Sequence, residues 1–266
     1  MVVFDTDLLR HVVGWGGSGF VDLKGVVFDG SHETHPLISG EPLFANPKLP
    51  GWSFQPEFLD PRQIPYGPLP REHGHFKGLY LHHNRVILSY SVGTTSVLEM
   101  PGLERAHGLT AFSRELDLKS LSSELFLQVA ASPREGERIL ALDGRALSQD
   151  AEAGESIAVL GEAGQLTAAA VVGAPPGTRW LTERGRIRLQ LPTISAARLK
   201  LLIWSGARSG ARISRVTGLL QTASISSSPV SSTATCGPIT GESLPLTLSS
   251  LWPGFIPAWI DLRAPS

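Results

Sequence analysis

Four of the chain's eight histidines fall in one stretch, "REHGHFKGLYLHH", from Arg71 to His83. Imidazole ligates zinc and copper, and it gains or loses a proton near neutral pH. His73 and His75 form an HxH pair, which a strand would point to one side. A second group, "FDGSHETHP" from Phe28 to Pro36, supplies Asp29, His32, Glu33 and His35. Carboxylates mixed with imidazoles suit a divalent ion: Ca²⁺ if oxygen dominates, Zn²⁺ or Cu²⁺ if nitrogen does. Asp29, His32, His35, His73 and His75 are therefore candidate metal ligands. Glu33 or Glu72 would serve as base for metal-bound water. The competing reading of residues 29–35 is an Asp–Gly turn with surface histidines.

The elements that carry these residues narrow the choice. A two-residue turn at His83–Asn84 places His82 opposite Arg85, Leu81 opposite Val86, Leu79 opposite Leu88 and Lys77 opposite Tyr90. Alternation then gives one face Leu79, Leu81, Val86, Leu88, Tyr90 and Val92, a core face. Tyr80, His82, Arg85, Ile87 and Ser89 take the other. The four histidines cannot converge on one ion in this register. Only His73 and His75 survive as a pair, and they need partners from residues 29–35. Those two segments are expected to meet, because the stretch between them leaves one strand end and returns to another. "GPLPREHGH" also opens like a cupin motif, but Leu79 and Tyr80 stand where that motif needs Glu.

Other stretches read as structure. "FDTD" holds Asp5 and Asp7, expected as a turn rather than ligands. In "RGRIRLQLP" Arg184, Arg186, Arg188 and Gln190 alternate with apolar residues and Gly185, the period of a half-buried strand with its basic face in water. "GWGGSGF" fails the GxSxG spacing of a nucleophile elbow, and no helix follows to make it a phosphate loop. "RILALDGRAL" carries Asp143–Gly144, a hairpin turn signal.

Short β-branched and aromatic runs divided by Gly and Asp clusters continue along the chain. The expected fold is all-β, an antiparallel β-sandwich over residues 1–220. Nine prolines between residues 36 and 71 mark a long Pro-rich loop with little regular structure, laid across one end. Its aromatics Phe44, Trp52, Phe54, Phe58 and Tyr66 imply that it packs on something. Residues 221–266 are rich in Ser and Thr and nearly free of charge, a linker or disordered low-complexity tail. Within it Trp252, Phe255 and Trp259 could form a docking segment.

Composition removes several classes. A net charge of −1 without a basic stripe argues against a nucleic-acid binder. One cysteine, Cys236, excludes an internal disulfide, an iron–sulfur cluster and a CxxCH haem attachment. No apolar run is long enough for a membrane-spanning helix. The N-terminus lacks the basic and apolar regions of a signal peptide and reads as strand almost at once. The chain is therefore expected to be a fragment of a longer protein or the product of an internal start.

"VVFDTDLLRHVVGWGGSGFVDLKGVVFDGSHETHP", "FANPKLPGW", "YGPLPREHGHFKGLYLHHNRVILSYSVG" and "VLEMPGL" resemble an uncharacterised domain of large secreted or periplasmic proteins of planctomycete-like bacteria. Those proteins also carry c-type cytochrome or haem-binding modules. The resemblance covers residues 2–105, and more loosely residues up to 215. It implies a β-rich domain outside the cytoplasm, and a turn glycine at the position of His83. Two functions remain open. One is a non-catalytic module binding a carbohydrate or another small ligand. The other is a divalent-metal-dependent hydrolase acting on an ester, lactone or glycosidic bond.

Overall fold

The computed structural model describes residues 1–17, 19–22, 37–83, 85–106, 109–132, 136–149, 151–161, 166–206 and 257–260. Their strands are β1 (Val2–Asp5), β2 (Arg10–Trp15), β3 (Val21–Asp22), β4 (Leu37–Ile38), β5 (Pro42–Ala45), β6 (Trp52–Ser53), β7 (Gly74–His82), β8 (Arg85–Val92), β9 (Thr95–Ala106) and β10 (Leu109–Leu121). They continue with β11 (Leu125–Ala131), β12 (Arg138–Ala141), β13 (Ala146–Leu147), β14 (Ser156–Leu160), β15 (Leu166–Val172), β16 (Arg179–Glu183), β17 (Arg186–Leu191), β18 (Ile194–Gly206) and β19 (Pro257–Ile260). The protein is all-β, as expected. One sheet has eight strands in the order β16-β17-β11-β5-β2-β1-β19, with β6 also paired to β11. A second has nine, in the order β13-β12-β14-β15-β18-β10-β9-β8-β7, and β3 and β4 pair as a separate two-stranded sheet.

Strand alternation gives each large sheet an apolar face, and the two faces share one core. Phe4, Phe44, Trp52, Leu127, Trp180 and Leu189 enter it from the eight-stranded sheet. Tyr90, Val97, Phe112, Leu116, Leu199 and Leu201 enter from the nine-stranded sheet. Burial of such side chains stabilises by about 1.5–3 kcal/mol each. No helix among the described residues is long and apolar enough to cross a membrane.

The β7–β8 hairpin has the expected turn. His82 pairs with Arg85, Leu81 with Val86 and Leu79 with Leu88. His83 takes φ +54°, the left-handed conformation that glycine adopts most readily. Beyond Leu79 the register departs from expectation. Phe76, not Lys77, stands opposite Tyr90, and a bulge lies between Phe76 and Gly78. Gly78 at φ +146° makes the irregularity possible. Leu81 is exposed near the hairpin tip, while Ile87 on the outer face is buried against Met100, Tyr80 and Leu98.

The Pro-rich segment is more than a loop. It contributes β4, β5 and β6, and β5 lies between β11 and β2 inside the eight-stranded sheet. Pro42 is tolerated there as the strand's first residue. Phe44, Trp52 and Phe58 are buried, whereas Phe54 and Tyr66 are exposed. The segment also corrects the reading of Arg188 as a solvated residue. Arg188 is buried; it donates to the Pro56 carbonyl and lies 6.0 Å from the centre of the Phe58 ring.

Candidate functional site

The site begins in the core, with a carboxylate where an apolar side chain would be expected. Glu99 has no exposed surface. It lies in phase with Val97 on β9, and Arg114 lies in phase with Phe112 and Leu116 on β10. Arg114 donates to both Glu99 oxygens, Nε to Oε1 at 2.5 Å and Nη2 to Oε2 at 3.1 Å. Tyr90 on β8 donates its hydroxyl to Oε2 at 2.5 Å. His11 on β2, from the opposite sheet, reaches Oε1 through Nε2 at 2.6 Å. Burial alone would raise the Glu99 carboxyl, but Arg114 and His11 outweigh it and hold the group well below the usual carboxylate range.

Burial pushes His11 the other way for an imidazole, below its ordinary value near 6.5. The hydrogen bonds agree. Nδ1 of His11 is buried and has no partner, so a proton there would be an unsatisfied donor. The ring is neutral, with its proton on Nε2 facing Glu99. Phe4 and Phe112 meet it edge-on at 5.1 and 5.6 Å. Burial also raises the Tyr90 hydroxyl well above its ordinary value, so it stays a donor.

This network reaches the surface through Trp52. The indole Nε1 donates to the Tyr90 hydroxyl at 3.2 Å. The backbone carbonyl of Trp52 accepts from Nε2 of His73 at 3.2 Å. Phe54 then meets the His73 ring edge-on at 5.2 Å and lies against Gly93 in the β8–β9 turn. A second lock holds the segment that follows. Arg62 forms an ion pair with Asp60 at 2.7 Å and donates Nη1 to the Gly67 carbonyl at 2.5 Å. The Arg62 hydrogen bonds hold the Asp60 carboxyl below its ordinary value. Between and beside these ties, Phe54, Leu59, Ile64 and Tyr66 are 38, 74, 56 and 74% exposed. The backbone here is held while large apolar side chains face water.

The sequence-predicted residues divide. Glu72 is exposed and His73 and His75 are half-buried; His75 pairs with Ser91 across the hairpin. Nε2 of His73 is engaged with Trp52, which leaves only Nδ1 for a ligand. His82 and His83 are exposed at the hairpin tip and touch each other. Asp29, His32, Glu33 and His35 lie outside the described residues, and so does their expected approach to residues 72–75. Among the described residues, no three His, Cys, Asp or Glu gather as a metal site. Asp5 is a turn residue: its Oδ1 accepts from the backbone of Asp7 and Leu8, and Oδ2 from Arg10. The Glu99 network was missed, although its signal was present: two charges in core phase, Glu99 and Arg114, on adjacent strands.

These observations define an all-β sandwich with a buried ionic network beneath an exposed aromatic segment. Residues 2–99 are similar to a protein family described as a domain of unknown function, DUF6797. No curated protein matches. Among solved structures, a heparinase III is similar at a TM-score of 0.31 and 12% identity, over 51% of this chain and 22% of that one. The chain thus spans less than a quarter of that protein's length, and the likeness carries no weight for activity.

Proposed function

We propose that the protein is a ligand-binding module that takes a carbohydrate or another small ligand on its Pro-rich segment. One observation carries this: residues 52–67 are tied by the Trp52–Tyr90 and Asp60–Arg62–Gly67 bonds, yet present Phe54, Leu59, Ile64 and Tyr66 to water. A surface ordered before binding loses little entropy when it binds. Aromatic rings offer a flat apolar face, and Tyr66 adds a hydroxyl for hydrogen bonding. A setting outside the cytoplasm, beside haem-binding modules, follows from the resemblance alone and is part of the proposal.

Titration calorimetry against a panel of soluble polysaccharides and oligosaccharides tests it. Saturable binding without turnover is expected. Tyr66→Ala and Phe54→Ala should each weaken it by about tenfold, the scale of an aromatic anchor. Leu81→Ala, an exposed residue on the β7–β8 hairpin, should leave it unchanged. Equal loss in the Leu81 variant, or no binding to any member, would overturn the reading. Turnover that stops with EDTA would instead support the metal-dependent hydrolase, with ligands drawn from residues 29–35 and 73–75.

A further inference from the structure

The outer edge of β1 is occupied by a strand from far along the chain. Residues 207–256 separate β19 from the end of β18, and β18 lies in the other sheet. The pairing is antiparallel, with Val2 opposite Ile260, Val3 opposite Trp259, Phe4 opposite Ala258 and Asp5 opposite Pro257.

Backbone alternation shows what this edge offers. Met1 and Trp15 exchange both of their backbone bonds, at 2.7 and 2.9 Å, so Met1 turns its polar groups toward β2. Along a strand successive residues face opposite edges. Val2 and Phe4 therefore turn their N–H and C=O outward, away from β2. The register puts Ile260 and Ala258 opposite them. Pro257, which has no N–H, stands opposite Asp5, where no bond across this edge is required. The one proline in β19 thus falls where it costs no ladder bond. All four β1 residues are buried.

We propose that the outer edge of β1 is a strand-addition site and that its occupant is the chain's own segment around Pro257–Ile260, docked across a long connection as an intramolecular ligand. The mode is β-augmentation: main-chain bonds give affinity, and proline placement gives register. The long connection keeps the segment near its site and raises its effective concentration.

The test uses the full chain with Ala258→Pro and Ile260→Pro together, against Pro257→Ala as control. Amide exchange at Val2 and Phe4 is read by NMR or mass spectrometry, and mass in solution by ultracentrifugation. The double proline variant should stay folded and monomeric while these two amides exchange about tenfold faster or more. The Pro257→Ala chain should keep native protection. A synthetic peptide of residues 254–263 should restore protection to the double variant and should not bind the unaltered chain. Unchanged exchange in the double variant would overturn the proposal, as would global unfolding. A peptide with the same two prolines that restores protection would also overturn it. An unaltered chain that is dimeric, and becomes monomeric on proline substitution, would assign the edge to a second copy and defeat the intramolecular occupant.

Discussion

At the residue scale, His11 is the group whose chemistry depends most on the fold. It is neutral when folded, with its ordinary value depressed by burial. In the unfolded chain it titrates near 6.5. Below that pH the unfolded state binds a proton that the native state refuses, so stability falls as pH falls. Glu99 has the same sign at lower pH. Its folded value is depressed, so its contribution is present above its ordinary value of 4.5 and is lost on further acidification. Urea unfolding between pH 7.5 and 5 should show stability falling below about pH 6.5, by up to about 1.4 kcal/mol per pH unit for one proton. His11→Gln should flatten that limb. A wild-type profile that is flat there would show His11 to be protonated in the fold. His11 stands alone in the sequence, with no neighbouring histidine to mark it. The informative signal was a charge in core phase, Glu99 after Val97 and Arg114 between Phe112 and Leu116, and only the packing of the two sheets joins His11 to it.

At the element scale, the Pro-rich segment is held by a close backbone approach at Gly51. A Cβ built there would lie 2.0 Å from the Leu9 carbonyl oxygen and 2.8 Å from the Arg10 Cα. Both obstacles are backbone, and neither can rotate aside. The Gly51 amide also bonds the Leu8 carbonyl, and its carbonyl accepts from Gln128. Gly51→Ala should therefore cost about 1–3 kcal/mol, read as a lower urea midpoint at unchanged m-value. A midpoint within error of the wild type would mean that the β1–β2 turn yields freely. The hairpin carrying His82 was legible because its turn and apolar alternation agree. Its bulge was not, since a single charged residue in phase with Leu79 and Leu81, Lys77, does not by itself say that the pairing skips it in favour of Phe76. Arg188 was misread for a different reason. Alternation says which face a side chain takes, but not what covers that face.

At the scale of the whole molecule, the family match ends at residue 99, yet both sheets mix strands from before and after it. β5 pairs with β11, β9 pairs with β10, and Glu99 is neutralised by Arg114. A fragment of residues 1–105 would hold a buried carboxylate without its guanidinium and half of each sheet without neighbours. It should fail to fold, as judged by circular dichroism and near-random proton shifts. The full chain should melt in one transition with equal calorimetric and van't Hoff enthalpies. Two separate transitions would show the halves to be independent.

The position of β5 also dictates an order of events during synthesis. Its partner on one side, β2, precedes it, but its partner on the other side lies at Leu125–Ala131. Until that later strand leaves the ribosome, β5 offers an open, apolar edge of the sort that recruits other chains. Slow, long-range closure of this kind favours aggregation over folding. The turns and prolines that crowd residues 36–71 shorten that edge to four residues. The same prolines that obscure regular structure in the sequence thus protect the nascent chain while it waits for its second half.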